Sequence, residues 1–160
     1  MCYLSDQGLI HRDLRTENVL VDKTFTCKIA DFGLAKKTDN FQASEVKWTA
    51  LEAATKGKFS TKSDIWSFGV LLWELVTFGD VPYKGAHFFK NQGMNGSEVL
   101  KQLKTGFRMK IPPDVPHNVP NEWYEQMLMC WDEEPMKRPN FHSLVDVFEA
   151  FCVGGKDYID

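Results

Sequence analysis

The sequence lacks the features that mark nucleic-acid-binding, secreted or membrane-spanning proteins. Its 160 residues carry a net charge of −3, so no basic excess points to nucleic acid or to an anionic membrane surface. The first residues do not form the basic and apolar regions of a signal peptide. The most apolar run, residues 65–76, is too short to span a bilayer. These absences predict a soluble, cytoplasmic protein with no nucleic-acid partner and no transmembrane segment.

The spacing of the cysteines excludes two classes of small domain. The four cysteines form no Cys-x-x-Cys pair and no Cys/His cluster with zinc-ligand spacing. We therefore expect reduced thiols and neither a zinc site nor a disulfide framework. The sequence also shows no internal repeat and no low-complexity tract. Its 43% hydrophobic and 26% charged residues are ordinary for one globular domain.

The hydrophobic pattern predicts a mainly helical chain with a small β hairpin near its start. Two short β-prone segments, 19–21 and 25–30, flank a predicted turn at 22–24. A polar, aperiodic stretch follows at 31–57, which predicts a long functional loop.

A helix over residues 64–77 is predicted to lie at the centre of the fold. Its apolar residues cover nearly every face, and Ser63 or Asp64 could cap its first turn. Residues 1–9 are predicted to be the end of a helix that stops at Gly8. Further helices are predicted from apolar spacing, and from the glycine or proline that follows each, at residues 97–104, 123–131 and 141–153.

Two short motifs carry most of the functional information. His-Arg-Asp-Leu-Arg-Thr-Glu-Asn occupies residues 11–18, and Asp-Phe-Gly begins at Asp31. The two motifs, in this order with a β-prone hairpin between them, resemble the catalytic and metal-binding loops of protein kinases. Phosphoryl transfer requires positioning and charge neutralisation more than covalent help, which explains the carboxylates, amide and guanidinium in these motifs.

The resemblance implies a role for each polar residue. Asp13 would orient the attacking hydroxyl and accept its proton, and Arg15 would lie near the transferred phosphoryl group. Asn18 and Asp31 would bind Mg²⁺ and, through it, ATP, because a hard cation takes oxygen ligands. ATP and Mg²⁺ are therefore the expected cofactors. His11 is expected to be a packed, hydrogen-bonded support rather than a base.

The resemblance extends over nearly the whole chain and favours tyrosine as the acceptor. Residues 47–50 read Lys-Trp-Thr-Ala, similar to the substrate platform of tyrosine kinases, so Trp48, Thr49 and Ala50 are expected to position the peptide. Serine/threonine kinases usually have lysine two residues after the catalytic aspartate, where this chain has Arg15. The loop is most similar to Src-type non-receptor kinases, which implies protein tyrosine substrates.

The resemblance also implies the fold and its supports. An α+β protein-kinase-like fold is expected, of which residues 1–152 would form the mainly α-helical C-lobe with small β hairpins, followed by a tail at 153–160. Asp64 would hydrogen-bond the catalytic-loop backbone. Glu52 and Arg138 would form a buried ion pair, whose disruption costs roughly 3–5 kcal/mol.

The parts of a kinase that grip ATP are absent from the sequence. It contains no Gly-x-Gly-x-x-Gly and no Val-Ala-x-Lys, the marks of the N-lobe. We therefore expect a fragment that lacks the N-lobe and is inactive alone. Any peripheral membrane association would depend on the missing regions. The alternative is a non-catalytic kinase-like binding module or a truncated remnant.

The predicted activation segment departs from the family pattern. Leu51 stands where the family has proline, which allows more backbone freedom. Asp31 and Glu52 are 21 positions apart, fewer than is usual, and no tyrosine lies between them. Arg12, which in the family can pair with an activating phosphotyrosine in this segment, therefore has no such partner there.

Two further segments depart from the pattern or match it loosely. Residues 86–93 look like an insertion, which is either a docking patch or a neutral addition. Tyr158 roughly matches the inhibitory tail tyrosine of Src-type kinases, and the alternative is an ordinary tail residue. Arg12 and Tyr158 are thus the candidate regulatory residues.

Overall fold

The computed structural model describes residues 1–32, 45–84, 93–115 and 118–154. These residues form a mainly α-helical structure with one small antiparallel sheet, as predicted. The helices and strands are α1 (Cys2–Asp6), β1 (Val19–Val21), β2 (Cys27–Ile29), α2 (Leu51–Lys56), α3 (Thr61–Val76), α4 (Gly96–Lys104), α5 (Asn121–Cys130) and α6 (Phe141–Gly154). Short 3-10 turns cover Thr16–Asn18, Glu45–Trp48 and Pro135–Lys137.

The central helix α3 begins earlier than the sequence indicated. Ser60 is its N-cap: its hydroxyl accepts from the amide of Ser63 at 3.3 Å, and the Ser63 hydroxyl accepts from the amide of Ser60 at 3.0 Å. The predicted caps Ser63 and Asp64 are therefore wrong, and both lie inside the first turn. The reason is that Ser60 adopts the extended backbone of a cap and forms a reciprocal capping box with Ser63.

The prediction that α3 is buried on nearly every face is confirmed. Its side chains form much of the core, together with residues of α5 and of the loops around it. Leu75 is the main exception, with 53% of its surface exposed. At Gly69, a Cβ atom would lie only 2.7 Å from both Cys130 Cβ and Trp131 Nε1. The absence of a side chain at Gly69 therefore sets how closely α3 approaches the end of α5.

Trp66 of α3 lies between two guanidinium groups. Arg108 stands 4.9 Å from the centre of its ring and Arg138 5.1 Å. Arg108 also donates through Nε to the carbonyl of Trp131 at 2.7 Å. Burial lowers the pKa of Arg108, because removal from water disfavours the charged guanidinium. The two arginines thus join three separate segments around one core tryptophan.

The predicted hairpin is present, and its turn has the predicted position. Val19 of β1 pairs with Ile29 of β2, which fixes the register of the two strands. The Asp22 carboxylate accepts from the amides of Thr24 and Thr26 at 2.8 and 3.0 Å. The Thr24 hydroxyl also donates to this carboxylate, at 2.6 Å, and this bond, together with the two amide bonds, lowers the pKa of Asp22. The three bonds close the turn.

The predicted loop at 31–57 is wrong for its second half. The 3-10 turn Glu45–Trp48 and helix α2 lie within it. Helix α2 has only six residues, too few to show a periodic pattern, and Gly57 ends it in the left-handed conformation with φ of +64°. Residues 33–44 lie outside the described part of the chain.

The remaining helices agree with the predicted positions within a few residues. Asn95 caps α4, and its side chain accepts from the amide of Glu98 at 3.0 Å. Gly106, with φ of +83°, follows the end of α4 as predicted. No helix among the described residues is both long enough and apolar enough to cross a membrane. Most of the predicted insertion at 86–93, and Tyr158, lie outside the described residues.

Candidate active site

A buried carboxylate of α3 binds the backbone at the start of the His-Arg-Asp motif. Asp64 accepts hydrogen bonds from the backbone amides of His11 at 2.7 Å and Arg12 at 2.9 Å. Arg12 has φ of 73°, an unusual value for a residue with a side chain, and this bond stabilises it there. Burial raises the pKa of Asp64, while the two amide hydrogen bonds oppose that rise.

His11 packs beneath the loop and has a defined tautomer. The amide of Asp13 donates to Nδ1 at 3.3 Å, so Nδ1 is an acceptor. The hydrogen therefore belongs on Nε2, which donates to the carbonyl of Ala30 at 3.0 Å. The edge of the Phe32 ring meets the imidazole, with ring centres 5.0 Å apart. The fully buried His11 thus joins the loop to the end of β2.

Asp13 and Asn18 form the centre of the site. The Asn18 side-chain amide donates to the Asp13 backbone carbonyl at 2.7 Å and to Asp13 Oδ2 at 2.8 Å. Both residues are only 8% exposed. Because both bonds use Nδ2 of Asn18, its Oδ1 is left to meet another group. Asp13 in turn keeps Oδ1 on the side away from Asn18.

The hairpin places the two predicted metal ligands at neighbouring positions of its open end. Asn18 directly precedes β1, and its carbonyl accepts from the amide of Ala30 at 2.8 Å. This bond continues the strand pairing by one residue and sets Asp31 next to the Asn18–Ala30 pair. Asp31 is exposed and has φ of 60°. Among the described residues no cluster of three or more His, Cys, Asp or Glu occurs, so only a sparse ligand set is available.

Arg15 joins the Asp13 carboxylate to the predicted platform. Its Nε lies 3.4 Å from Asp13 Oδ1, and its Nη2 lies 3.2 Å from Glu17 Oε2. Its guanidinium carbon stands 5.2 Å from the centre of the Trp48 ring. Asp13, Glu17 and Trp48 thus fix three sides of one planar cation, which suits a group that must keep a defined direction.

The three platform residues do not present equal surfaces. Thr49 is 4% exposed and Ala50 is fully buried, whereas Trp48 is half-buried. The Ser67 hydroxyl of α3 donates to the Trp48 carbonyl at 2.7 Å. Of the three, only Trp48 therefore offers side-chain surface to a peptide, while Thr49 and Ala50 attach the segment to the core. Burial lowers the pKa of the neighbouring Lys47.

The segment after the platform is attached by an ion pair. Arg138 donates to Glu52 Oε1 at 2.7 Å and to Oε2 at 2.9 Å, and its side chain is completely buried. It also donates to the carbonyls of Asp132 and Lys62, each at 2.9 Å. Leu51, which replaces the expected proline, is the first residue of α2. Proline is common at the first position of a helix, but a helix does not require it there.

Arg12, one of the two candidate regulatory residues, packs against an aromatic ring. The guanidinium carbon of Arg12 lies 4.9 Å from the centre of the Phe59 ring, just before α3. Tyr158 lies outside the described residues.

Sequence reasoning missed one buried carboxylate at the site. Glu74 of α3 is 5% exposed, and its Oε2 accepts from the backbone amide of Thr16 at 3.1 Å. Burial raises its pKa, and the hydrogen bond from Thr16 opposes the rise. The sequence did contain a signal: a glutamate inside an otherwise apolar, buried helix needs a polar partner. It gave no means of identifying Thr16 as that partner.

Comparisons with known proteins show which family the chain resembles. Residues 1–148 match the family described as protein tyrosine and serine/threonine kinase. The tyrosine-protein kinase Src64B of Drosophila melanogaster is 46% identical to the chain over 160 residues, which cover 96% of the chain and 27% of that relative. The chain therefore spans well under half the length of this curated relative.

Proposed function

Because the chain belongs to the protein tyrosine and serine/threonine kinase family, we propose that it provides the catalytic C-lobe of a Src-type tyrosine kinase. The reaction is transfer of the γ-phosphoryl group of ATP to tyrosine hydroxyls of proteins. The observation that carries this proposal is the arrangement at Asp13. Its carboxylate lies between the Asn18 amide and the Arg15 guanidinium, and Asn18 pairs through its backbone with Ala30, the residue before Asp31.

Each residue has a separate task in the proposed reaction. Asp13 orients the tyrosine hydroxyl and accepts its proton, and the Asn18 amide keeps the carboxylate in place. Arg15 stabilises negative charge between the carboxylate and the phosphoryl group. Trp48 supports Arg15 and supplies a surface on which the peptide can lie. This arrangement acts by positioning and charge, as phosphoryl transfer requires.

The residues present fit a magnesium ion. The Asn18 amide is oriented with Nδ2 towards Asp13, which leaves an oxygen for a cation, and Asp31 adds an exposed carboxylate. One carboxylate and one amide oxygen suit Mg²⁺, which usually keeps waters and substrate phosphates as its other ligands. When bound, Mg²⁺ with ATP would supply charge neutralisation at the phosphates.

The sequence contains neither the Gly-rich loop nor the strand lysine that hold ATP in this family. We therefore propose that catalysis occurs only in a polypeptide or assembly that also supplies them, and that the 160 residues alone are inactive. The same absence favours the second candidate function, a non-catalytic binding module. An Asp13-dependent activity of the full-length gene product would exclude that candidate.

We also propose bounds for the domain, a cellular location and a class of partner. We place the kinase domain at residues 1–152 and a tail at 153–160. The four cysteines are free in the structure, which suits a cytoplasmic location. The proposed partners are proteins that present tyrosine, and any attachment to a membrane surface would depend on regions outside this sequence.

The test is transfer of labelled γ-phosphate from ATP to a tyrosine-containing polymer by the full-length gene product. We expect Mg²⁺-dependent transfer that Asp13→Asn abolishes. Asp146→Asn is the matched control, because it makes the same chemical change at an exposed position of α6 and should leave transfer intact. If the unaltered product transfers no phosphate, or if Asp13→Asn transfers it equally well, the proposal is wrong.

A further inference from the structure

Within the proposed function, we propose that Glu74 is a positioning residue for the catalytic loop. Its carboxylate accepts the backbone amide of Thr16 at 3.1 Å and so sets the direction of the neighbouring Arg15. It does not touch the reacting groups itself; it acts through the backbone of the loop.

The loop is attached to α3 at two points rather than one. Asp64 accepts from the amides of His11 and Arg12, before Asp13. Glu74 accepts from the amide of Thr16, after Asp13. Ten residues of helix separate the two carboxylates, which corresponds to about 15 Å along the axis. Because α3 is a rigid, buried element, these two attachments hold both ends of the loop segment that contains Asp13 at fixed positions.

The position of Glu74 is costly, which argues that the contact is specific. The residue is 5% exposed in a helix whose neighbouring side chains are apolar, and burial disfavours its charged form. The nearby carboxylate of Glu17 disfavours that charge further. The amide of Thr16, the indole of Trp48 and the hydroxyl of Thr16, in that order, lower the pKa of Glu74 again and so oppose this cost.

The consequence for chemistry follows from what lies on either side of Thr16. Arg15 precedes it and contacts both Asp13 and Trp48. Glu17 follows it and pairs with the outer end of Arg15. If the Thr16 backbone moves, its two chain neighbours, Arg15 and Glu17, move with it, and the guanidinium shifts relative to Asp13 and Trp48. A displacement of about 1 Å at a reacting group can lower the rate by about 100-fold.

Thr16→Pro removes the amide hydrogen without altering α3. Arg15 has the extended backbone, φ −158° and ψ 165°, that a residue before proline adopts readily. Thr16 is the first residue of a 3-10 turn, where the fixed φ of proline fits. Thr16→Ala is the reference, since it removes the hydroxyl but keeps the amide hydrogen.

In the full-length gene product, we expect kcat of Thr16→Pro to be about 100-fold below that of Thr16→Ala, with KM for ATP the same in both. Glu74→Leu should lose kcat to a similar extent, and Glu74→Gln, which keeps an acceptor oxygen, should retain most of it. Thr16→Pro should have little further effect in the Glu74→Leu background. Glu125→Leu, at an exposed position of α5, should leave kcat unchanged.

Two outcomes would overturn the proposal. One is a Thr16→Pro variant with the melting temperature and kcat of Thr16→Ala. The other is a pair of Glu74 variants, Leu and Gln, that lose kcat equally, because that would assign the effect to packing rather than to the acceptor.

Hydrogen exchange separates this proposal from the proposed function. If the full-length product transfers no phosphate to tyrosine, that function fails, but the anchoring of Thr16 can still be measured. We expect the Thr16 amide to exchange much faster in Glu74→Leu than in Glu74→Gln, while the His11 amide on Asp64 stays protected in both. Equal exchange of Thr16 in the two variants would contradict the positioning role whether or not the protein is active.

Discussion

The guanidinium of Arg138 binds the carboxylate of Glu52 through two hydrogen bonds of 2.7 and 2.9 Å, although 86 positions separate the two residues. This pair attaches α2, and with it the nearby Trp48, to the chain segment before α6. The Arg138 side chain is completely buried, whereas that of Glu52 is 16% exposed. If either partner is removed, the charge that remains therefore has little access to water.

Arg138→Met should destabilise the protein by about 3–5 kcal/mol, because it leaves the mostly buried Glu52 carboxylate without its cation. Urea unfolding followed by circular dichroism measures this loss. Lys137→Met is the matched control, since Lys137 pairs with Glu134 on the exposed surface and its loss should not be measurable. Equal destabilisation by the two variants would show that the ion pair contributes nothing specific.

Gly69→Ala should destabilise the protein by about 1–3 kcal/mol through overpacking, despite the higher helix propensity of alanine. The added Cβ would lie 2.7 Å from Cys130 Cβ and from Trp131 Nε1, so α3 and α5 must move apart. The melting temperature of the variant tests this. Leu75→Ala, at an exposed position of the same helix, should change it much less. A Gly69→Ala variant that melts higher than the parent would contradict the close contact.

Glu74→Gln should change the pH dependence of stability in a defined direction. Burial raises the pKa of Glu74 above its ordinary value of 4.5, so the folded state binds this proton more tightly than the unfolded state. The stability due to this proton is therefore present below pH 4.5 and is lost as the pH rises through the raised pKa. Glutamine does not titrate, so the variant escapes that loss.

The measurement is the difference in unfolding free energy between Glu74→Gln and the parent from pH 4 to pH 8. It should shift in favour of the variant as the pH rises, and then become constant. Glu149→Gln, at an exposed position of α6, is the control and should show a smaller shift. A difference for Glu74→Gln that moves towards the parent with rising pH would show that burial does not disfavour this charge.

Arg15→Lys should lower kcat of the full-length gene product by about 100-fold, comparable to the loss of one preorganised donor at a transition state. Lysine keeps the charge but cannot approach Asp13 and Glu17 with two nitrogens while its plane lies on Trp48. Steady-state kinetics with a tyrosine peptide measure the change. Lys28→Arg, on the exposed face of β2, should leave kcat as it is. Full activity of Arg15→Lys would mean that only the charge matters.

The sequence predicted the family, which is confirmed, and the mainly helical fold with its hairpin. It did so because α3 has a long apolar pattern and because the catalytic motifs are short and ordered. It failed at α2, which is too short to show a period, and at the cap Ser60, which depends on a reciprocal bond. It also missed Glu74. A sequence can indicate that a buried carboxylate needs a partner, but the partner at Thr16 lies 58 positions away.

The most direct test of the central claim is the identity of the residue that the full-length gene product phosphorylates. Two peptides that differ only by tyrosine or serine at one position would be offered with ATP and Mg²⁺, and the labelled residue would be determined. We predict label on tyrosine alone, lost on Asp13→Asn and retained on Asp146→Asn. Label on serine, or label on tyrosine that survives Asp13→Asn, would contradict a tyrosine-specific site built around Asp13.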